Sequence, residues 1–560
     1  MTIYLKDFLK DDSPAAAIAR AINALSDGDT LMLGGGKISL SPEGALRKYY
    51  CISNNDKGEK AIAFPLIGKK NVTVDGEGAA LVFSGDILPF AIDGCENVTV
   101  KNFSVDYVSP RYAQAKIVEA DENRTVLYFD GDETGATLED GHLCFIRKAE
   151  GEKQVSRCPL VLEFDKNGAP SSFQPTYFAD SGAQHNGFLS SLTRAVSYKL
   201  LGENLIEMRG DIRCVHTVGN YWVATYCDRR YPGILIHRSK NTTLSDIDLY
   251  HTTSMGVVGQ LSDTVTLERV NAVPRPGSGR VLSVNADATH FVNCRGKLSF
   301  KDCTFVHMMD DACNVHGLYL KAPKKTSEHE ITATYGHPQH EGINIFLPGD
   351  RVRVLCPETL KETAVYTVVH SENPDEQHLR ITVKEEVCDL PDGLVAENID
   401  TNPAVHFDGC ETGYNRPRGF LLATTGKVLV ENCTFYNMYQ GINVGCEMKD
   451  WYESGASEDV TIRGNHFKNG AYAGGFAISL CPNLVNRDNG RDFLGRMVVE
   501  DNLFTQNGKR FLFAQNVREL IVRNNRYHKD ATLPDHGTHK ENGMEIRTVS
   551  HAEIEDVVEE

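Results

Sequence analysis

The chain has 560 residues, 41% hydrophobic and 24% charged, a balance that excludes a disordered or collagen-like polymer. Its net charge of −18 comes without any clustered run of Lys or Arg, which argues against a nucleic-acid partner, and no stretch approaches the roughly 18 apolar residues of a membrane span. Fifteen cysteines, an odd number with no C-x-x-C pair, argue against zinc and against a complete disulfide framework; they read as small core residues in a reducing compartment.

Residues 1–107 open on MTIYLKDFLKDD, which lacks the basic and apolar regions of a secretory leader. As written the chain reads as cytoplasmic, or as secreted or periplasmic if a leader has been trimmed. Residues 14–25 (PAAAIARAINAL) form an Ala-rich amphipathic pattern suited to capping the open end of an apolar column. A nine-residue pattern then begins: a polar residue, three residues rich in Val, Ile, Leu or Thr, a polar pair, and an aromatic or aliphatic residue. It starts weakly at Asn71 (NVTVDGEGA) and clearly at Asn97 (NVTVKNFSV).

Residues 108–228 break this period with hairpin-like alternation, as in QAKIVEADENRTVLYF, and read as an antiparallel β insertion. The pattern resumes over 229–317, at Asn241 (NTTLSDIDL) and Lys297 (KLSFKDCTF). A second antiparallel insertion is expected over 318–400, around AVYTVVHSENPDEQHLRITVKEEV. Further copies fill 401–547 at Lys427, Asp459, Arg496 and Glu519, and 548–560 is an acidic tail expected to be loose.

The shortest spacings between copies are 22, 23 and 26 residues, and a second short apolar strand follows each copy, as in Gly256–Val258, Cys313–Val315, Ile442–Val444 and Phe511–Phe513. Strands returning in register at that interval predict an all-β, right-handed parallel β-helix, each coil closing only by stacking on its neighbours. A leucine-rich repeat would need a Leu-x-x-Leu-x-Leu frame that is absent. Sequon-like triplets such as Asn71-Val72-Thr73 and Asn432-Cys433-Thr434 fall at coil corners, where Asn tolerates left-handed backbone and stacks in ladders.

The segment Val284–Gly317 (VNADATHFVNCRGKLSFKDCTFVHMMDDACNVHG) carries the chemistry. An Asp-Asp pair is ordinarily a solvated turn. Here Asp310 and Asp311 lie 23 residues, one coil, beyond Asp287, so the three carboxylates should sit side by side on adjacent rungs about 4.8 Å apart. Like charges that close cost stability and raise at least one pKa. His290, Asn314 and His316 stand alongside. Carboxylates without a thiol, a His-rich ligand set or a phosphate loop suit acid–base hydrolysis of a glycosidic bond, so no cofactor or metal is expected. The CEMKDWYESG loop offers Glu447, Trp451 and Glu453 as a polar, aromatic wall for a sugar; Arg47, Tyr49, Tyr50 and Asn54 are weaker candidates.

An Asp on one coil followed by Asp-Asp on the next resembles the polygalacturonases of the pectin-lyase-like β-helices. A closer resemblance, carried by ADATHF at Ala286–Phe291, HMMDDACNVHG at His307–Gly317, RKYYCISN, IAFPL and WYESG, is to glycoside hydrolase family 110, the α-1,3-galactosidases that include enzymes acting on blood-group B antigen. The resemblance spans about residues 14–530. It implies an inverting exo-α-galactosidase on a β-helix with β-barrel insertions, acting on galactose-terminated glycans, with Asp310 as general acid and Asp287 and Asp311 handling water. Two alternatives remain open: a polysaccharide lyase or polygalacturonase-like enzyme, for which only Arg295, Lys297 and Lys301 are nearby cations, and a non-catalytic glycan-binding β-helix. A homo-oligomer would most commonly be an isologous dimer.

Overall fold

Asparagine turns the corners of the repeat. Asn71, Asn97, Asn241 and Asn432 have φ of 51°, 54°, 53° and 56°, the left-handed region that Asn enters more readily than most residues. Stacked coils then bond through these side chains: Asn97 Nδ2 donates to Asn71 Oδ1 at 2.7 Å, and Asn241 Nδ2 to Asn97 Oδ1 at 2.9 Å. A buried ladder continues the device in the last coils, where Asn465 donates to Asn502 and Asn502 to Asn525, each at 3.0 Å.

The computed structural model describes residues 1–9, 13–129, 131, 133–157, 159–171, 176–179, 193–210, 212, 216–225, 229–534 and 540–560. It is a right-handed parallel β-helix. Helix α1 (Pro14–Ala24) caps its first coil, with Ser13 Oγ accepting from Ala16 N at 3.2 Å and Ala15, Ala17, Ile18, Ala21 and Ile22 buried against the column. Inside, aromatic rings stack from coil to coil: Phe300 on Phe407 at 4.2 Å, Phe407 on Phe420 at 3.8 Å, and Phe435 on Phe467 at 4.9 Å. Buried Cys95, Cys294, Cys303, Cys410 and Cys433 are free thiols within the same column.

One stack of parallel strands matters most for function. It runs through Ile234–His237, Val257–Gln260, Thr289–Val292, Cys313–Ser327, Arg418–Leu422, Gln440–Val444, Ile478–Leu480, Leu512–Ala514 and Met544–Ile546. Alternate residues (Phe291, Val315, Phe420, Ile442, Ile478, Leu512) face the column, so their neighbours form the outer face.

Two β units emerge from this scaffold. In the first, strands Tyr112–Asp121, Arg124–Tyr128, Leu160–Phe164, Thr176–Ala179, Thr193–Gly202, Leu205–Gly210 and Tyr221–Thr225 close into a barrel around Trp222, Phe129 and Phe178. In the second, the strand Cys313–Ser327 runs on beyond the coil and pairs in an antiparallel ring with Glu330–Tyr335, His378–Val383, Glu362–Glu372, Arg351–Leu355 and Val395–Asn398. The acidic tail differs from expectation. Val549–Ile554 and Val558–Glu559 add parallel strands to Val517–Arg523 and Arg526–Lys529, because the last coil otherwise leaves its backbone edge unpaired.

Candidate active site

Register decides which side chains meet. Thr289 pairs with Cys313, a step of 24 residues, so Asp311 rather than Asp310 stacks directly on Asp287, and Ala288 N donates to Asp311 O at 2.9 Å. Cys313 in turn pairs with Phe420 across the second insertion, which puts Arg418 on the next rung of the same file. Asp310 sits one residue earlier, at the turn. One carboxylate oxygen from each of Asp287, Asp310 and Asp311 lies within 4.8 Å of those of the other two.

Three arginines, none of them in the Asp-rich segment, balance this trio. Arg418 forks Asp311, Nε to Oδ1 at 2.9 Å and Nη2 to Oδ2 at 2.8 Å. Arg229 Nη2 donates to Asp310 Oδ2 at 2.9 Å, and Arg416 is buried beside both. The cations named from sequence are elsewhere: Arg295 pairs with Asp350 at 2.5 Å, and Lys297 and Lys301 are exposed on the strand Arg295–Lys301. A divalent ion would find three oxygen donors in the trio, but the Arg229 and Arg418 charges already at two of them would repel it.

The histidines serve behind the carboxylates. His290 and His316, expected from the sequence as substrate contacts, are buried and do not line the cavity. Nδ1 of His316 lies 2.7 Å from the Gly317 carbonyl and therefore carries a proton. Its bare Nε2 accepts from His290 Nε2 at 3.0 Å, which leaves His290 Nδ1 as a lone pair 2.8 Å from Asp287 Oδ2. Burial pushes both rings down to about 4, so they are neutral near pH 7. The hydrogen bond to His290 then needs a proton on Asp287.

Electrostatics agree. Burial, then the charge on Asp310, raises Asp287 well above the carboxylate range. Burial pushes Asp311 up to about 8 against the pull of Arg418, with Asp310 and Asp287 adding to the rise. Asp310 goes the other way: burial would raise it, yet Arg229, Arg416 and Arg418 hold it low. The three titrate as a unit. Because Arg418 occupies both oxygens of Asp311 as acceptors, the shared proton rests on Asp287. The expected acid, Asp310, is thus ionised beside Arg229.

The cavity beside the trio has a volume of about 1070 Å³ and is lined by Asn54, Asp287, Asp310, Asp311, Asn314 and Glu453, among others. Glu453 is buried and accepts from Asn54 Nδ2 at 3.2 Å and Asn314 Nδ2 at 3.3 Å. Against its burial, with the rings of His316 and His290 neutral, the Arg418 charge and the Asn314 hydrogen bond hold it low. Trp451 forms a wall: its ring stacks on His337 at 4.3 Å, with the Arg229 guanidinium 5.9 Å above it. Glu447 lines the cavity but spends its oxygens on the loop, accepting from the N–H groups of Lys449, Asp450 and Tyr452 at 2.8, 2.9 and 3.3 Å and from Asn483 Nδ2 at 2.7 Å.

Of the early candidates only Asn54 reaches the cavity. Arg47 pairs with Glu59 at the surface, and Tyr49 is 52% exposed and bonds Glu376, because their hairpin strand turns these side chains outward. Tyr50 is buried against Asp93. Arg229, Arg416, Arg418 and His337 were missed, since they lie 50 or more residues from the Asp-rich segment or inside an insertion; the one available signal was the coil step, which places Arg418 under Asp311.

Residues 398–557 match the family model described as the right handed beta helix region. Alpha-1,3-galactosidase A of Shewanella woodyi is 31% identical over 541 residues, covering 94% of this chain and 84% of that protein. Alpha-1,3-galactosidase B of Bacteroides fragilis is 30% identical over 549 residues, covering 92% and 88%. Among solved structures, the A-module of the mannuronan C-5 epimerase AlgE6 from Azotobacter vinelandii aligns over 99% of this chain and 100% of its own, at 11% identity and a TM-score of 0.39. With relatives of that identity matched along nearly the whole length, and with the DATHF and MMDDACNVHG stretches meeting at one cavity, the chain belongs to the α-1,3-galactosidases, glycoside hydrolase family 110.

Proposed function

We propose that this glycoside hydrolase is an exo-acting, inverting α-galactosidase that removes terminal α-1,3-linked galactose from glycans. The observation that carries the reading is the meeting of three carboxylates, one oxygen of each within 4.8 Å of the others, on the lining of one cavity. Inversion needs one carboxylic acid to protonate the leaving oxygen and a carboxylate to deprotonate water; the trio, within 4.8 Å, is tighter than the roughly 6.5–9.5 Å usual for inverting pairs, so the family resemblance and not the spacing carries this assignment. Asp310 is the general acid: its side chain is 22% exposed, against 6% for Asp287 and 2% for Asp311, so it faces the incoming glycosidic oxygen. Substrate displaces Arg229 from Asp310, whose carboxyl then draws the shared proton from Asp287. That transfer leaves Asp287 and Asp311 both ionised to hold and deprotonate the attacking water. His290 and His316 fix the orientation of Asp287, and Asn54, Asn314, Trp451 and Glu453 are the sugar contacts.

Hydrolysis of p-nitrophenyl α-galactoside and of galactose-α-1,3-galactose, followed by NMR of the first-formed anomer, tests this. Release of β-galactose is the expected result. Release of the α anomer overturns the inverting assignment, and an unsaturated, ultraviolet-absorbing product would mean a lyase.

A further inference from the structure

The cavity runs on well past the space one galactose ring fills. A single file of outward-facing residues forms its floor: Asn314, Leu421, Asn443, Ser479, Phe513 and Glu545 are successive register partners, and all line the cavity. Five steps at about 4.8 Å per rung give a floor about 24 Å long, and one pyranose unit is about as long as one rung is thick.

The groove is blind at one end. Going toward the N-terminus, the same file continues through His290, Val258, Leu235 and Ala91. The last three are buried with Tyr50, Ile52 and Met255 in one apolar cluster. Going toward the C-terminus it stays accessible as far as Phe513 and Glu545. A terminal sugar seated at the trio must therefore send the rest of its chain along the C-terminal coils.

The floor has the chemistry of a carbohydrate subsite. The ring of Phe513 lies 5.7 Å from that of Phe476, with the Arg547 guanidinium 5.2 Å from its centre, so an aromatic face is held in place for stacking. Asn314 Oδ1 and Asn443 Oδ1 are shielded from solvent, and among the described residues nothing donates to them. Buried acceptors of this kind call for donors, and sugar hydroxyls supply them.

We infer that the file from Asn443 to Glu545 binds the leaving portion of a linear oligosaccharide, several sugars beyond the scissile bond, with Phe513 as its distal stacking platform. The inference rests on the α-galactosidase reading and extends it from the terminal sugar to the chain that carries it. The test compares kcat/KM for p-nitrophenyl α-galactoside with that for linear di-, tri- and tetrasaccharides ending in α-1,3-galactose. The constant should climb with length, and the ratio of tetrasaccharide to aryl galactoside should fall about tenfold in Phe513→Ala, the loss of one stacking contact. Asn443→Trp, which fills the groove nearer the trio without opening the core, should lower the same ratio more. Hydrolysis of all substrates with no dependence on length, or an unchanged ratio in both variants, overturns the extended groove and leaves the galactosidase reading standing. No galactose released from any substrate overturns both.

Discussion

Replacing Asp287 with Asn probes the proton inventory of the site. Asp287, Asp310, Asp311 and Glu453 face Arg229, Arg416 and Arg418, and of the four carboxyls Asp287 and Asp311 are raised while Asp310 and Glu453 are held low. Burial first, and then the charge on Asp310, raises Asp287 well above the carboxylate range against the pull of Arg229 and Arg418. A raised carboxyl binds more protons in the native than in the unfolded state, so its contribution to stability declines as pH climbs from the unfolded value near 4 to the folded one, by up to about 1.4 kcal/mol per unit. Asn cannot ionise, and its Nδ2 donates to His290 Nδ1 just as the protonated carboxyl does. The variant should gain on the wild type between about pH 5 and about pH 8, by up to about 1.4 kcal/mol for each pH unit over which Asp287 keeps its proton only in the folded chain. Its turnover of p-nitrophenyl α-galactoside should drop about 10³-fold. Unfolding free energies from urea titrations at the two pH values measure the gain. A gap that stays constant with pH would refute the assignment of the proton to Asp287.

Two further outcomes are expected. In Arg229→Ala the charge that holds Asp310 down is gone, burial raises the carboxyl, and the acid keeps its proton to higher pH. The alkaline limb of the kcat/KM profile for p-nitrophenyl α-galactoside should move up by about one unit or more, and an unmoved limb would mean that Asp310 is not the acid. Deleting residues 549–560 strips the last coil from Val517–Arg523 and Arg526–Lys529. The bare edge should promote self-association, read by light scattering after size-exclusion chromatography; a species unchanged from the full-length chain would show that the terminal coil does not guard the edge.

The β-helix was legible because its physics is periodic. Corner asparagines, apolar triplets and a second strand recur at one interval, and the column they imply is the one that forms, from Phe300 through Phe407 to Phe435. The carboxylate trio was legible for the same reason, though the step of 24 shifts the stacking partner of Asp287 from Asp310 to Asp311. What one coil's sequence cannot carry is the content of neighbouring coils and insertions. Arg418 is 107 residues from Asp311 along the chain yet on the next rung, and His337 arrives from inside the second insertion. Glu447 and Glu453 look alike in CEMKDWYESG, and only the loop's fold separates the one spent on backbone N–H groups from the one aimed at Asn314.

The bond from Asn54 to Glu453 joins positions 399 residues apart. A ribosome that has finished the first segment must still make most of the protein before its mate exists. No nascent fragment that stops short of Glu453 therefore owns a finished pocket, and the site is completed only after both β units have been made and have had time to fold on the growing column.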